Sequence, residues 1–175
     1  MINLFKKFLI IFFIFFISNS ASFADVPYFV DFKLILNKSD AGKKAQDGLK
    51  QKLENGFKSL KQKEKAIQDE EKKLIEQKKI ISSEEYKSQV KKLRGKVVSL
   101  QKERNTLVNT VAKQRSKARN ELLKNLNPII KDYMNEKKIR MVVDKKSILL
   151  ADENLNITKE IMGRLNKKLK SINLN

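Results

Sequence analysis

The carboxylate groups of the sequence are the first candidates for catalytic chemistry. Asp69, Glu70 and Glu71 are adjacent in the chain, as are Glu84 and Glu85. Paired carboxylates can act as general acid and base, or can bind a divalent cation. Both groups fall in predicted helices, however, where adjacent side chains point in different directions and do not converge on one atom. We therefore interpret both groups as solvated helix surface.

The other groups that commonly catalyse reactions are missing or incomplete. The chain contains no His and no Cys, which excludes the usual general base near neutral pH, thiolate nucleophiles and disulfides. Gly42-Lys43 resembles part of a phosphate-binding loop, but Asn37 stands where that motif requires Gly and Lys44 where it requires Ser or Thr. The sequence thus predicts a protein that is not an enzyme and that uses no cofactor and no metal.

Basic residues dominate the composition. Lys and Arg number 39 against 20 Asp and Glu, which gives a net charge of +19, and there are only 5 Gly and 2 Pro. So many charges with so few helix breakers favour long solvated helices. A positive surface attracts acidic partners, and salt weakens that attraction. A solvated helix face is the alternative interpretation of any one basic cluster. The cluster that we select as the candidate contact region consists of Lys87, Lys91, Lys92, Arg94 and Lys96.

The N-terminal segment, residues 1–24, has the order of a secretory signal peptide. Lys6 and Lys7 precede ten unbroken apolar residues, Phe8 to Ile17, and a small, polar stretch then ends at Ala24. A membrane anchor is the alternative, but ten residues fall short of the roughly 20 that span a bilayer. The sequence predicts export and cleavage after Ala24.

The beginning of the mature chain predicts a strand followed by a helix start. Residues 28–36 place apolar side chains at every second position, a period of two that is typical of a strand. Asn37 to Asp40 then supply turn and N-cap chemistry.

The C-terminal part predicts two short strands and a helix. Ile139–Val143 and Ile148–Ala151 are the strands, joined through a polar turn, and Thr158–Leu169 is an amphipathic helix capped by Thr158 or Asn156.

Residues 25–40 and 139–175 together form the predicted small α/β body. A core of this size without disulfides or metal is marginal, so we expect it to oligomerise. The predicted body core and oligomerisation residues are Tyr28, Val30, Phe32, Leu34, Ile139, Met141, Val143, Ile148 and Leu150.

Residues 41–138 predict a long basic helical arm. Apolar residues recur seven apart in two sets, the spacing of a coiled-coil seam. The second set does not continue the phase of the first, and Ser82 with Glu85 fits a capping box. We therefore predict an antiparallel hairpin with its tip near 82–84; one continuous helix with a stutter is the alternative. The predicted seam residues are Leu53, Leu60, Ile67, Leu74, Ile81, Leu93, Leu100 and Leu107.

Three residues of the arm, one Pro and two Gly, lie inside predicted helices and are unfavourable there. Pro128 lies where the returning helix becomes apolar on more than one face, and should bend or locally break it. Gly56 and Gly95 lie inside predicted helices, where each is either a soft point or a position on a crowded face.

The combination resembles the Skp/OmpH family of periplasmic chaperones. The resemblance rests on four segments: Ala41 to Gln46, Leu126 to Ile130, Ile139 to Asp144 continuing to Asp152, and Ile157 to Ile161. It implies a homotrimer in which three small bodies form a β-barrel-like hub and three helical arms surround a cavity. It further implies a location in the periplasm and a cavity that holds unfolded outer-membrane proteins without ATP.

The predicted fold class is therefore mainly α with a small β body, in which a long antiparallel α-helical hairpin is inserted in a small β-sheet or barrel oligomerisation domain. The predicted function is that of an ATP-independent holdase, with unfolded outer-membrane proteins and the chain itself as partners. The alternative is a basic coiled coil that binds nucleic acid, anionic lipid or a cell-surface polymer. Export and the few aromatic residues of the arm disfavour nucleic acid, and an anionic lipid surface would be contacted only peripherally.

Overall fold

The computed structural model describes residues 26–174, so the predicted signal peptide and its cleavage after Ala24 lie outside the described residues. The described chain is mainly helical, with two short strands. In chain order the elements are β1 (Tyr28–Val30), α1 (Phe32–Lys38), α2 (Asp40–Gln77), α3 (Ser83–Lys137), β2 (Val142–Asp144), 3-10 turns at Lys145–Ser147 and Glu153–Leu155, and α4 (Thr158–Lys168).

The two strands join the start of the described chain to the segment that follows helix α3. β1 and β2 pair in parallel, with Tyr28 opposite Val142 and Val30 opposite Asp144. Phe29 additionally forms a bridge with Asn156. Parallel pairing requires a crossover between the strands, and here helices α1, α2 and α3 form that crossover.

The strand predicted for residues 28–36 is wrong beyond Val30. The Asp31 side chain accepts a hydrogen bond from the backbone N–H of Leu34 at 2.7 Å and so starts helix α1. Phe32, Ile35 and Leu36 then pack toward the core at helical spacing, whereas Leu34 is 41% exposed. A run in which nearly every second residue is apolar is compatible with the period of a strand and with that of a helix. Here the N-cap hydrogen bond favours the helix.

The strand predicted for Ile148–Ala151 is also wrong, and β2 pairs with β1 instead. Asp144 and Asp152 each accept a hydrogen bond from the backbone N–H two residues later, at 3.2 and 2.9 Å. Such Asp turns compete with an extended ladder and produce the 3-10 turns on either side. Leu149 and Leu150 between them are fully exposed in the single chain.

The core lies where α1, α3 and α4 meet the short sheet. Its completely buried members are Ile35, Leu122, Leu126, Ile161 and Leu165. Ile161 and Leu165 confirm that the last helix is amphipathic, and Leu122 and Leu126 are buried within the single chain at the base of the returning helix.

Pro128 does not break helix α3, which runs without interruption from Ser83 to Lys137, so the predicted local break is wrong. The proline removes one backbone donor and leaves the carbonyl of Lys124 without its helical partner. Both residues are exposed, so water can satisfy that carbonyl.

Helix α3 ends at a left-handed residue. Lys138 has a φ of 56°, the one positive φ outside glycine in the described chain. The N–H of Ile139 then bonds to the carbonyl of Met134 at 2.9 Å, which closes the helix end and turns the chain toward β2.

Candidate functional site

The long helices α2 and α3 lie side by side and antiparallel. Lys52 bonds to Gln114 at 3.0 Å, Lys63 to Glu103 at 2.6 Å and Lys96 to Glu70 at 2.6 Å, so later residues of α2 meet earlier residues of α3. We call this helix pair the arm. Between the helices the chain turns at residues 78–82, so the alternative of one continuous helix is wrong.

The second helix of the arm starts as its sequence predicts. The Ser82 hydroxyl accepts a hydrogen bond from the N–H of Glu85 at 3.2 Å, and Glu84 and Glu85 lie in the first turn. Carboxylates at this position interact favourably with the positive end of the helix dipole. This is the structural role of one of the two carboxylate groups considered above.

The apolar seam of the arm is only partly buried. Leu60 and Leu74 are buried, at 5% and 6% exposure. The other predicted seam residues are half-buried: Leu53, Ile67, Ile81, Leu93, Leu100 and Leu107. Two open clefts, of about 240 and 300 Å³, lie along the seam beside Leu100 and Leu93. A seam with such gaps holds its helices together less tightly than a filled core would.

Ion pairs supplement the seam. Lys63 pairs with Glu103 at 2.6 Å, and Arg104 pairs with Glu64 at 3.7 Å. Their side chains are between 44% and 51% exposed, so each pair adds little stability and is weakened by salt. The two helices of the arm are therefore held together by weak contacts that can open locally.

The predicted contact cluster divides between two faces of α3. At 100° per residue, Lys87, Lys91 and Arg94 share one exposed face. Lys92 and Lys96 lie on the other side, at the cleft beside Leu93. There Lys96 is bound to Glu70, which neutralises part of its charge.

Apolar side chains are also exposed on the arm, and sequence reasoning did not select them as contact residues. Ile75 and Ile80 near the tip are 60% and 82% exposed, and Val98, on the face of Lys91 and Arg94, is 69% exposed. They lie off the heptad columns of the seam, which is the signal that could have identified them. The arm surface is thus both basic and apolar.

The two glycines of the arm differ. A Cβ at Gly56 would overlap the methyl groups of Leu107, so Gly56 lies on a crowded face. At Gly95 a Cβ would meet nothing, so the crowded-face alternative is wrong there.

A third glycine, in the motif that resembled a phosphate loop, has a packing role. A Cβ at Gly42 would overlap the backbone carbonyl of Leu36, because helices α1 and α2 meet closely at this point. This close approach explains why Gly precedes Lys43.

A charged cluster joins α3 to α4. Arg164 donates two hydrogen bonds to the Glu136 carboxylate, at 2.7 and 2.6 Å, and its guanidinium lies 4.8 Å from the centre of the Tyr133 ring. The bonds from Arg164 lower the pKa of Glu136, and burial raises the pKa of the Tyr133 hydroxyl. The cluster stabilises the packing of the two helices.

The predicted core and oligomerisation residues fall into three groups in the single chain. Val30 and Ile139 are buried; Tyr28, Phe32, Val143 and Ile148 are half-buried; Leu34, Met141 and Leu150 are exposed. Met141 and Leu150 are exposed together with Leu149 and Val26. Exposed apolar side chains mark an interface with another protein where they form one contiguous patch.

Within residues 26–174 no group of side chains has the composition of a metal site. None of the helices in that range combines the length and the apolar character needed to cross a bilayer.

Comparison with known proteins identifies the family. The family model described as "Outer membrane protein (OmpH-like)" matches residues 28–165. The chain belongs to the OmpH-like family. The match includes both strands, the arm and most of α4, so the family resemblance inferred from short segments is confirmed over most of the chain.

A solved structure shares the fold of this OmpH-like chain. It is a crystal structure of a protein from Caulobacter crescentus CB15 that is described as an OmpH-like outer membrane chaperone. The TM-score is 0.77 at 21% sequence identity, over 85% of this chain and 89% of the other. Among curated proteins no sequence matches the chain significantly.

Proposed function

We propose that this protein is an ATP-independent holdase of the periplasm that binds unfolded outer-membrane proteins between helical arms and prevents their aggregation. The observation that carries the proposal is the arm: its second helix exposes Val98 on the same face as Lys91 and Arg94. An unfolded membrane protein offers apolar segments and acidic groups in no fixed order. A surface with both kinds of contact and a compliant seam suits weak, multivalent binding of many sequences.

The family and the fold neighbour support this proposal, since the neighbour is described as an outer membrane chaperone. A location in the periplasm agrees with the signal peptide predicted for residues 1–24. The arm residues proposed to contact clients are Lys87, Lys91, Lys92, Arg94 and Lys96, joined by the exposed apolar residues Ile75, Ile80 and Val98.

The holding cavity requires more than one arm, and we propose a homotrimer formed by the body, residues 25–40 and 139–175. The exposed side chains of Met141, Leu149 and Leu150 supply apolar surface for contacts between copies. The arm, residues 41–138, is about 57 Å long, since α2 has 38 residues at about 1.5 Å each. Three such arms hanging from one hub would enclose a space for a client.

The decisive experiment uses the mature chain, residues 25–175. Light scattering should give the mass of a trimer, and near-stoichiometric protein should keep a urea-diluted outer-membrane β-barrel soluble without nucleotide. A monomer that gives no protection would contradict the proposal. If that monomer instead binds anionic vesicles in a salt-dependent way, the lipid-binding alternative is supported.

Variants test the contact residues. Replacing Lys87, Lys91 and Arg94 together by Gln should weaken protection and reduce its dependence on salt. The matched control replaces Lys33, Lys159 and Lys167 by Gln; these residues are exposed and lie outside residues 41–138, so the net charge changes equally. Equal effects of both triple variants would show that only net charge matters and would contradict the assigned contact region.

A further inference from the structure

The last residues of the described chain run from the body onto the arm. Helix α4 ends at Lys168, and Leu169 and Ile172 pack against the core cluster. The chain then continues to Leu174, which is half-buried. We call residues 169–174 the C-terminal strap.

Polar contacts attach the strap and the end of α4 to both helices of the arm. Asn166 in α4 accepts a hydrogen bond from the N–H of Asp40, the first residue of α2, at 2.9 Å. Lys170 pairs with the Asp40 carboxylate at 2.9 Å. Farther along, the side-chain amide of Gln114 in α3 donates to the carbonyl of Leu174 at 2.9 Å.

The contact at Gln114 lies well out along the arm. Gln114 also accepts a hydrogen bond from Lys52 of α2 at 3.0 Å, so it lies level with Lys52. Lys52 is twelve residues beyond Asp40, about 18 Å along a helix axis. An extended segment from Lys170 to Leu174 covers about 14 Å, which matches a strap laid along the arm.

The strap spans the stretch in which the arm leaves the body. Helix α3 is the continuous element that passes from the arm into the core, and long helices in proteins curve gently rather than stay straight. We infer that the strap fixes the tilt of the arm relative to the body, and that its release lets the arm swing.

No residue of the strap is fully buried, and its ion pair with Asp40 is accessible to water, whereas its bond to Gln114 is partly buried. The side chains of Lys170 and Asp40 are 65% and 44% exposed, so their pair is weak and sensitive to salt. Segments held by few buried contacts open locally at low free energy. If the proposed holding function is correct, the strap thereby controls how wide the cavity between the arms can open.

The test measures the spread of distances between arm and body in the full chain. Because the sequence has no Cys, the substitutions Lys102→Cys in the arm and Lys159→Cys in α4 place two spin labels at exposed positions. Labelled chains are diluted with unlabelled chains so that only distances within one chain are recorded. A stop after Leu169 should broaden the distance distribution and shift it relative to the parent chain.

Point variants separate the strap from a general loss of stability. The double variant Gln114→Ala with Lys170→Ala removes two polar attachments of the strap in the full-length chain and should broaden the distribution, though less than truncation does. Lys167→Ala and Ser171→Ala, at exposed neighbouring positions, are the matched controls and should leave it unchanged.

An unchanged distribution in a truncated chain that keeps its helical circular dichroism would overturn the inference. If the truncated chain does not fold, the double variant decides, and an unchanged width there overturns it equally. No client takes part in this measurement, so it tests the strap separately from the proposed holding function. An unchanged distance distribution would contradict the strap inference without affecting the holding function, and a lack of protection of clients would contradict the holding function without affecting the strap inference.

Discussion

The two ends of helix α3 lie in different environments. Near its C-terminus, Leu122 and Leu126 are completely buried among residues of α1, α4 and the sheet. In the arm, Leu93 and Leu100 have only α2 as a partner and remain half-buried beside open clefts. A helix packed on several sides buries its apolar face fully, whereas a helix with one partner leaves much of its surface in water. The same helix therefore provides a rigid base at one end and an adaptable surface at the other.

The largest expected effect comes from comparing two single variants of helix α3, one that truncates a leucine in the core and one that truncates a leucine in the arm. Leu126→Ala should lower the free energy of unfolding by about 3 kcal/mol, because the cavity forms in a filled core. Leu100→Ala, at a half-buried position beside an existing cleft, should cost about 1 kcal/mol. Urea denaturation followed by circular dichroism measures both. Equal losses would contradict the difference between core and arm.

The next test compares two glycines of helix α2. Gly42→Ala places a Cβ against the backbone carbonyl of Leu36 and should cost about 2 kcal/mol, since overpacking of backbone cannot be relieved by a rotamer change. In Gly48→Ala the added Cβ meets no atom, so the higher helix propensity of Ala should stabilise the chain by up to about 1 kcal/mol. Opposite signs in the thermal midpoints are the expected result. A neutral Gly42→Ala would show that α1 and α2 are free to separate.

A smaller gain is expected at the junction between α3 and β2. Lys138→Gly relieves the left-handed conformation of Lys138 and should raise the free energy of unfolding by about 1 kcal/mol. Lys137→Gly, one residue earlier in the helix, is the control and should be destabilising. The thermal midpoints of the two variants should therefore move in opposite directions.

The smallest effect concerns the charged cluster that joins α3 and α4. Because Arg164 lowers the pKa of Glu136 below its ordinary value of 4.5, folding is favoured when Glu136 is ionised. This contribution is fully present above that ordinary value and is lost as the pH falls through the lowered pKa. Thermal midpoints measured from about pH 5 to about pH 3 should fall less steeply in Glu136→Gln than in the parent chain. Glu71→Gln, in the arm, is the control, and its thermal midpoint should change with pH as that of the parent chain does. If Glu136→Gln shows the same slope as the parent chain, the bond between Glu136 and Arg164 does not contribute to this pH dependence.

Sequence patterns predicted the helices better than the strands. The stripe of Ile161 and Leu165 identifies α4 because a helix of eleven residues repeats its period several times. The strands have three residues each, too few to establish a period. At residues 32–36 the capping by Asp31 selects a helix from a pattern that fits both structures.

Some features of the candidate site could be predicted from the sequence and others could not, for a related reason. Ser82, Glu85 and the leucine columns act through local spacing, so the seam and the start of α3 could be predicted. The division of Lys91 and Lys96 between two faces follows from the helix period. The pairing of Lys96 with Glu70 depends instead on the register between two helices, since the two residues are 26 positions apart in sequence. The exposure of Ile80 and Val98 likewise depends on which face of each helix its neighbour covers.

By itself the sequence determined the charge, the absence of His and Cys, the long helices with a turn at Ser82, and the family, because these depend on composition and on contacts within a few residues. Only the tertiary structure decided that β1 pairs in parallel with β2, that Gly42 makes room for the carbonyl of Leu36, and that the C-terminal strap reaches Gln114. Each of these joins residues from separate elements, and their free energies arise only when the whole chain is packed.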